Sequence, residues 1–463
     1  MVFSSSVFLY YFLPAFMVVY RLTPPPLRAG VIAVGSFVFY GWSRPEYVLL
    51  MAVSTGVDWI AARRIDRARA RGRRGTTWLW FSLTVNLGLL GWFKYAGFVS
   101  RLWNDAAQRL GLPLLSPIAV ALPVGISFYT FQTMSYTIDV WRGEAKPAGR
   151  LRDFACYVSL FPQLVAGPIV RWSTVAASCA APQPRREGLF RGVLLFQLGL
   201  AKKILLADTV ASLADDLFAG GNVVPAAAWL GVAAYSLQIY FDFSGYSDMA
   251  IGLGLMLGFE FPVNFDRPYA SESITEFWRR WHISLSTWLR DYLYIPLGGN
   301  RRGRRRTHVN LMITMLLGGL WHGAALNFVA WGAWHGLWLG IDRLGGGRAP
   351  WSRAPKVIRR AATLIIVLLG WVLFRAGSLT QALQVGGMMF GVKAAGGQGL
   401  VLPSALSLLA ALSGVFLAIF GRTSQELVRR PSRLLVLSAQ FLFLVSLVHL
   451  HSRNHVPFLY YQF

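Results

Sequence analysis

The chain has 463 residues, of which 55% are hydrophobic and only 14% are charged. Soluble domains carry about 25% charged residues, so a composition this apolar predicts a polytopic membrane protein. The 45 Lys and Arg residues against 20 Asp and Glu residues give a net charge of +25. This charge lies in short loops between apolar runs, as the positive-inside rule expects. No nucleic-acid-binding motif accompanies it, so we expect no nucleic-acid partner.

Apolar runs of membrane-helix length follow one another along the whole chain. They lie at about residues 3–20, 29–43, 46–61, 77–99, 115–140, 189–206, 224–258, 310–343, 357–375, 401–420 and 434–451. Some are short and others hold two segments, so we predict roughly 11–13 membrane-embedded helices. The first run lacks the basic start of a signal peptide and is expected to stay as a membrane helix. The first two basic loops then place the N-terminus outside and both loops in the cytoplasm.

Residues 154–170 form a short apolar segment that contains Pro162, Gly167 and Pro168. Broken backbone is tolerated at membrane depth only where protein or water satisfies its polar groups. The segment therefore favours a re-entrant or in-plane element, with an ordinary kinked helix as the alternative. Cys156 and Cys179 make no metal framework and are weak support for a disulfide.

Residues 271–300 predict an amphipathic helix that lies in the plane of the membrane surface. Ser273 and Glu276 form a capping-box pattern that opens a helix. Apolar and aromatic side chains then recur at helical spacing at Phe277, Trp278, Trp281, Leu285, Trp288, Leu289 and Tyr292. A helix rich in Trp and Arg is typical of the membrane interface. His282 falls on the apolar stripe, either facing a helix bundle or wetted by lipid head groups.

A histidine lies in the middle of a run that is long enough to cross a membrane. Residues 311–341 contain no Asp, Glu, Lys or Arg, yet they hold Trp321, His322, Asn327 and His335. An ionisable group at membrane depth is costly and is a functional hypothesis by default. Burial disfavours the imidazolium cation, which leaves a neutral ring able to accept a proton. The alternative is a histidine hydrogen-bonded inside a helix bundle.

A polar island interrupts the apolar run at 224–258. Gln238 and Asp242 are one helical turn apart, and Tyr240, Ser244 and Asp248 share a second face. Two carboxylates in an apolar segment need partners. Either they pair with Lys or Arg of neighbouring helices, or the island lines a substrate tunnel.

Other motifs are few. Snorkelling of the side chain towards the membrane surface explains Lys94, Lys202 and Lys203. The chain has no metal-ligand, Walker or dinucleotide motif, so we expect no metal site and no permanently bound cofactor.

Five stretches together identify a family resemblance. They are residues 122–131, 161–168, 240–248, 278–300 and 319–323. In this order they resemble the membrane-bound O-acyltransferase (MBOAT) family, and within it the bacterial alginate O-acetyltransferase-like branch. The resemblance covers roughly residues 120–340, and the flanks share its character. It implies a single integral membrane domain over 1–463, an all-α ring of tilted and in-plane helices around a central tunnel.

The resemblance also implies an activity and its residues. The enzyme would move an acyl group, acetyl in this branch, from cytoplasmic acetyl-CoA for O-acetylation of an exported polysaccharide such as alginate. The catalytic positions are His322 and His282. His322 would take the proton of the acceptor hydroxyl, and His282 or nearby Trp and Asn groups would stabilise the oxyanion. The expected tunnel-lining residues are Gln238, Tyr240, Asp242, Ser244, Asp248, Trp321 and Asn327.

The implied setting is the cell inner membrane, with a multi-pass topology. The expected partners are an extracytoplasmic SGNH-type acetyltransferase, the exported polysaccharide and membrane lipid. Residues 458–463 resemble the ending of the small partner peptide of the D-alanylation system, so the Tyr460 hydroxyl would relay the acyl group. The alternative for Tyr460 is an aromatic-belt residue at a membrane surface.

Two other functions stay open. One is transfer of D-alanyl or another acyl group to a cell-envelope polymer. The other is non-enzymatic transport of a lipid or glycan, which predicts inverted repeats; no repeat is detected in the sequence.

Overall fold

The computed structural model describes residues 1–116, 118–219, 223–345, 349–392, 403–452 and 458–459. All the secondary-structure elements of these residues are helices. This result confirms the all-α prediction for the described part of the chain. The chain divides into two compact units. The first comprises Met1–Val193 and Ala250–Pro262, and the second comprises Leu194–Met249 and Val263–Phe463.

The first unit has helices at the early apolar runs and further helices outside them. Its α-helices are Leu13–Leu22, Arg28–Gly41, Glu46–Ala70, Thr76–Leu90, Ala96–Leu110, Ile126–Arg142, Leu151–Ser159, Phe161–Leu164 and Trp172–Ala180, with the beginning of Arg186–Ala201 and the end of Pro225–Leu257. The π-helical turns Val7–Phe12 and Gly91–Tyr95 and the 3-10 turn Pro25–Leu27 complete it.

A buried carboxylate holds three helices of the first unit together. Asp58 is fully buried and accepts hydrogen bonds from Ser82 Oγ at 2.5 Å and Asn86 Nδ2 at 2.9 Å. Ser54 Oγ donates to Asn86 Oδ1 at 2.9 Å, and Thr133 Oγ1 donates to the same oxygen at 3.3 Å. These side chains belong to the helices Glu46–Ala70, Thr76–Leu90 and Ile126–Arg142. Sequence reasoning did not single out this network.

The segment 154–170 is a broken helix. The helix Leu151–Ser159 is followed by a break at Leu160 and a four-residue helix, Phe161–Leu164. The chain then turns, with Ala166 in the left-handed region at φ +55°. Ser36 Oγ accepts a hydrogen bond from the Phe161 N–H at 3.0 Å, so a side chain satisfies the backbone at the break. This result excludes the ordinary kinked helix that the sequence left open.

The second unit carries the residues that the sequence analysis singled out. Its α-helices are the end of Arg186–Ala201, then Asp208–Phe218, most of Pro225–Leu257, Ile274–Arg280, Ile283–Leu289, Gly303–His322, Leu326–Leu344, Lys356–Arg375, Leu379–Met389, Ala405–Phe420, Ser424–Arg429 and Arg433–Ser452. Its shorter elements are the π-helical turns Lys202–Ala207 and Arg290–Tyr294 and the 3-10 turn Pro268–Ala270.

The predicted continuous helix over 271–300 is wrong at its centre. Ser273 caps the first helix as predicted, because its Oγ accepts from the Glu276 N–H at 3.1 Å. That helix ends at Arg280, and the next begins at Ile283. Between them His282 adopts a left-handed conformation with φ +43°. His282 is therefore not on a helical stripe, and because it is fully buried lipid head groups do not wet it.

The run at 310–343 is a tight helical hairpin rather than one span. Its two helices are Gly303–His322 and Leu326–Leu344, and His322 is the last residue of the first. Glycine is required where the two helices cross, because a Cβ at Gly319 would overlap the backbone carbonyl oxygen of Phe328. The histidine that the sequence placed mid-span therefore lies at a helix end, beside a turn.

Two helices of the described residues are long and apolar enough to cross a membrane, Lys356–Arg375 and Arg433–Ser452. Shorter apolar helices lie at Val7–Leu22 and Ala405–Phe420.

Candidate active site

His322 sits in an aromatic enclosure. Its side chain is buried, with 6% of its surface exposed. The rings of Trp321, Trp331 and Phe374 lie 4.9, 5.1 and 5.1 Å from the imidazole centroid, each at a steep angle. Edge-to-face packing of this kind fixes a ring without using its nitrogen atoms. The enclosure excludes bulk water and holds the imidazole in place.

Asn264 determines the orientation of His282. Its side-chain oxygen lies 3.1 Å from His282 Nδ1 and also accepts from the Ser284 N–H at 3.2 Å and from Ser284 Oγ at 2.9 Å. A backbone N–H can only donate, so the amide oxygen must face this side, and its nitrogen donates to Ser247 Oγ at 3.1 Å. His282 Nδ1 consequently carries the proton.

The other nitrogen of His282 is left as a base. Nε2 is buried and has no hydrogen-bond partner among the described residues. In the tautomer that Asn264 selects, Nε2 bears a lone pair. It can accept a proton or a hydrogen bond, and it cannot donate one.

Trp321 joins the two histidines. Its ring lies 6.2 Å from His282 and 4.9 Å from His322. Phe243 also packs edge-on against His282 at 4.7 Å. The structure thus brings the two predicted catalytic positions to the same aromatic side chain, although they come from different parts of the chain.

The third histidine of this cluster, His335, is held by a hydrogen bond and by ring packing. Trp278 Nε1 donates to His335 Nδ1 at 3.3 Å, and Phe277 stacks on the imidazole at 6.1 Å. Trp331, which lies between His322 and His335, has an indole N–H that is buried without a partner among the described residues. An unpaired buried N–H beside a histidine is a candidate hydrogen-bond donor to a substrate.

Both acids of the polar island pair with lysines of a neighbouring π-helical turn. Lys203 Nζ lies 2.9 Å from Asp242 and 2.5 Å from Asp208, and Lys202 Nζ lies 2.6 Å from Asp248. Lys203 is 1% exposed, so snorkelling is the wrong explanation for it. Lys94 likewise hydrogen-bonds Ser127 Oγ at 3.2 Å. Of the two explanations left open for the acids, pairing is confirmed.

Part of the island also borders a cavity of about 600 Å³. Tyr240, Ser244 and Asp248 line it, together with Lys202 and Gln425. Neither His282 nor His322 is among its lining residues. Phe265, which does line it, packs 6.4 Å from His282.

The remaining predicted lining residues lie elsewhere in the second unit. Gln238 and Asp242 are buried and are not at the cavity wall. Asn327 donates to the carbonyl oxygens of Leu373 and Ala376 at 3.2 and 2.8 Å, so it closes the end of the Lys356–Arg375 helix. Tyr460 lies outside the described residues.

Sequence reasoning missed Asn264. The residue stands in a short irregular stretch, 258–267, with no periodicity to mark it. Its link to His282 depends on a contact across 18 residues, which no local pattern reveals.

Comparison with known proteins identifies the chain. The model of the membrane-bound O-acyltransferase family, MBOAT, matches residues 118–344. The chain is 48% identical over 391 residues to the probable alginate O-acetylase AlgI of Pseudomonas aeruginosa, covering 84% of this chain and 75% of that protein. The chain belongs to the membrane-bound O-acyltransferase family. It is therefore an O-acyltransferase and a membrane protein.

Two further relatives define the breadth of the match. The probable alginate O-acetylase AlgI of Pseudomonas putida is 42% identical over 490 residues, covering the whole of both chains. The peptidoglycan O-acetyltransferase of Helicobacter pylori is 33% identical over 424 residues, covering 83% of this chain and 79% of that protein. The MBOAT match contains both His282 and His322.

Proposed function

We propose that this MBOAT enzyme O-acetylates an exported polysaccharide such as alginate, with acetyl-CoA as the acyl donor. The observation that carries the proposal is that two buried histidines, His282 and His322, pack against the ring of the same residue, Trp321. The names of the relatives, alginate O-acetylase and peptidoglycan O-acetyltransferase, support a glycan acceptor. The acceptor hydroxyl attacks the thioester carbonyl, the C–S bond breaks, and the CoA thiolate leaves with the proton that the hydroxyl gave up.

The two histidines have complementary roles in this proposal. His322 takes the hydroxyl proton as a general base. His282 Nε2 carries a lone pair, so it does not donate to an oxyanion, and it instead accepts a hydrogen bond from the acceptor or from water. The oxyanion donor is the indole N–H of Trp331, which is buried beside His322 and has no partner in the part of the chain that the structure describes. A positioned donor of this kind stabilises the charge that develops on the carbonyl oxygen.

The described part of the tail, Phe458 and Leu459, is anchored at the polar island. The Leu459 N–H donates to Asp242 Oδ2 at 2.8 Å, and the Phe458 ring stacks on Tyr246 at 4.4 Å. Both tail residues are buried. This anchor supports the proposal that the next residue, Tyr460, receives the acetyl group and passes it to an extracytoplasmic SGNH-type acetyltransferase.

The setting of the reaction is part of the same proposal. The whole chain, 1–463, forms one multi-pass domain of the inner membrane, with roughly 11–13 embedded helices arranged as a ring around a tunnel. The acyl route is lined by the polar island, Trp321 and Asn327.

One experiment tests the chemistry directly. Purified protein is given radiolabelled acetyl-CoA, and CoA release and labelled protein are measured for wild type and His322→Ala. His335→Gln is the matched control, since it changes a buried histidine of the same cluster that already accepts from Trp278. We expect loss of turnover only in His322→Ala. Equal inertness of wild type and mutant towards acetyl-CoA would favour transport.

The relay has its own test. Tyr460→Phe removes one oxygen, and Tyr461→Phe is the neighbouring control. We expect Tyr460→Phe alone to abolish the labelled protein and polymer acetylation. Normal polymer acetylation by Tyr460→Phe would refute the relay while leaving the histidine chemistry intact.

A further inference from the structure

Two adjoining spaces in the second unit have a basic rim. The cavity bordered by Tyr240 and Asp248 shares lining residues with a second space of about 700 Å³. The shared residues are Arg267, Arg422, Leu427 and Leu435. Because these residues line both, the two spaces adjoin each other. Arg429 and Arg430 extend the rim on the side of the second space.

The positive charge of this rim is largely uncompensated. Glu426 lies 3.4 Å from Arg267 and is the acid that lines the second space. Arg422, Arg429 and Arg430 are exposed, and within the described part of the chain they have no ion pair or hydrogen bond. Three arginines that are not ion-paired with the one acid there, Glu426, give the mouth a net positive charge that attracts an anion.

The interior of the cavity is mostly apolar. Its walls include Leu406, Leu409 and Leu417 of one helix and Leu435, Leu442 and Val445 of another. The second of these helices, Arg433–Ser452, is one of the two that are apolar enough to cross a membrane.

Two charged groups in the cavity wall, Asp248 and Lys202, are paired with each other, whereas the Ser244 hydroxyl is buried without a partner among the described residues. Asp248 pairs with Lys202 at 2.6 Å and accepts from Gln425 Nε2. An apolar interior with an anion-attracting mouth therefore fits an amphiphile with an alkyl chain and a negative head group.

We propose that this site binds an anionic phospholipid, with its phosphate at Arg422, Arg429 and Arg430 and one acyl chain in the cavity. A volume of about 600 Å³ falls in the usual range for ligand pockets. The polar arm of CoA fits the site less well, because most of its amides would meet apolar walls. The lipid packs beside Tyr240 and Ser244 and needs nothing from the histidine chemistry.

Binding is tested on the purified full-length chain in detergent. Phosphatidylglycerol and phosphatidylcholine with identical chains are titrated, and retention is measured by native mass spectrometry. We expect selective retention of phosphatidylglycerol, weakened about fivefold for each arginine removed in Arg422→Gln and Arg430→Gln. Ser438→Phe, which adds a ring to the cavity wall, should weaken binding of both lipids.

The controls separate this site from general attraction and from catalysis. Arg304→Gln with Arg305→Gln removes equal charge from another exposed basic segment and should leave phosphatidylglycerol bound. His322→Ala should bind lipid as wild type does, so failed catalysis and failed lipid binding are distinguishable. Equal retention of both lipids, equal loss in the Arg304/Arg305 control, or displacement of the lipid by CoA or inorganic phosphate would overturn the proposal.

Discussion

Replacing Asn264 by Ala tests whether His282 is held as a base. The substitution removes the acceptor of His282 Nδ1–H and of the Ser284 N–H, both buried. A buried donor left without an acceptor costs about 1–3 kcal/mol, so two of them cost about 2–6 kcal/mol of unfolding free energy. The hydroxyl of Ser284 can rotate towards another acceptor and adds little. The left-handed backbone at His282 also loses part of the support that holds it.

The effect on turnover follows from the tautomer. Without Asn264 the proton is free to sit on Nε2, which blocks the lone pair that the proposed mechanism uses. We expect kcat for CoA release from acetyl-CoA to fall about tenfold, the effect of losing one hydrogen bond of about 1.4 kcal/mol between His282 Nε2 and the acceptor. The assay is run below the unfolding midpoint of the variant, with thermal unfolding measured in parallel. Folded Asn264→Ala protein with wild-type kcat would refute the reasoning.

A matched substitution tests whether the amide oxygen of Asn264, rather than its amide nitrogen, is responsible for the effect. Ser247→Ala removes the partner of the amide nitrogen and leaves every bond to the amide oxygen in place. We expect about 1 kcal/mol of destabilisation and nearly normal turnover. A fall in kcat equal to that of Asn264→Ala would show that the whole network, rather than the His282 tautomer, is what matters.

Three further substitutions give sharp outcomes. Trp331→Phe removes the proposed oxyanion donor and should lower kcat about 10²–10³-fold with little change in KM. Lys203→Met leaves the buried Asp242 and the partly buried Asp208 without their cation and should lower the free energy of unfolding by about 3–5 kcal/mol. Arg44→Gln, at an exposed ion pair, should lower it by under about 1 kcal/mol. Gly319→Ala puts a Cβ where the two hairpin helices cross, so it should push them apart and lower the free energy of unfolding by about 1–3 kcal/mol. Gly386→Ala puts a Cβ into open space and should not destabilise the protein.

Each of these has a result that contradicts it. Unchanged kcat in Trp331→Phe would assign the oxyanion to another donor. Equal melting of Lys203→Met and wild type would mean that the buried pair is not coupled to folding. A stable Gly319→Ala protein would show that the hairpin helices tolerate a wider separation than the structure has.

Some features of the site were predictable because they depend on local sequence. The Ser273 cap needs only a hydroxyl three residues before Glu276. The polar island was found because its spacing sets Gln238 and Asp242 on one face of a helix. His322 was found because an ionisable ring in an uncharged run is costly. Each of these signals is carried by residues close together in the chain.

Other features depended on contacts that no local pattern encodes. The break at His282 arises because Asn264, 18 residues earlier, binds both the imidazole and the backbone after it. A pattern of helical spacing continues through residues 281–283, and the sequence therefore predicted one helix where there are two. The partner of Asp242 was likewise hidden, since Lys203 lies on another helical turn.

The sequence by itself determined the class of this protein, an all-helical membrane O-acyltransferase, and the two histidines worth examining. Composition and apolar periodicity are properties of many residues taken together, so they can be determined without knowing which residues are in contact. The tertiary structure alone decided that His322 ends a helix, that His282 is turned and tautomerically fixed by Asn264, and that Trp321 touches both. Those properties depend on packing between segments that are distant in the chain. At His282, for example, the contact with Asn264 decides which imidazole nitrogen is a donor and which is an acceptor.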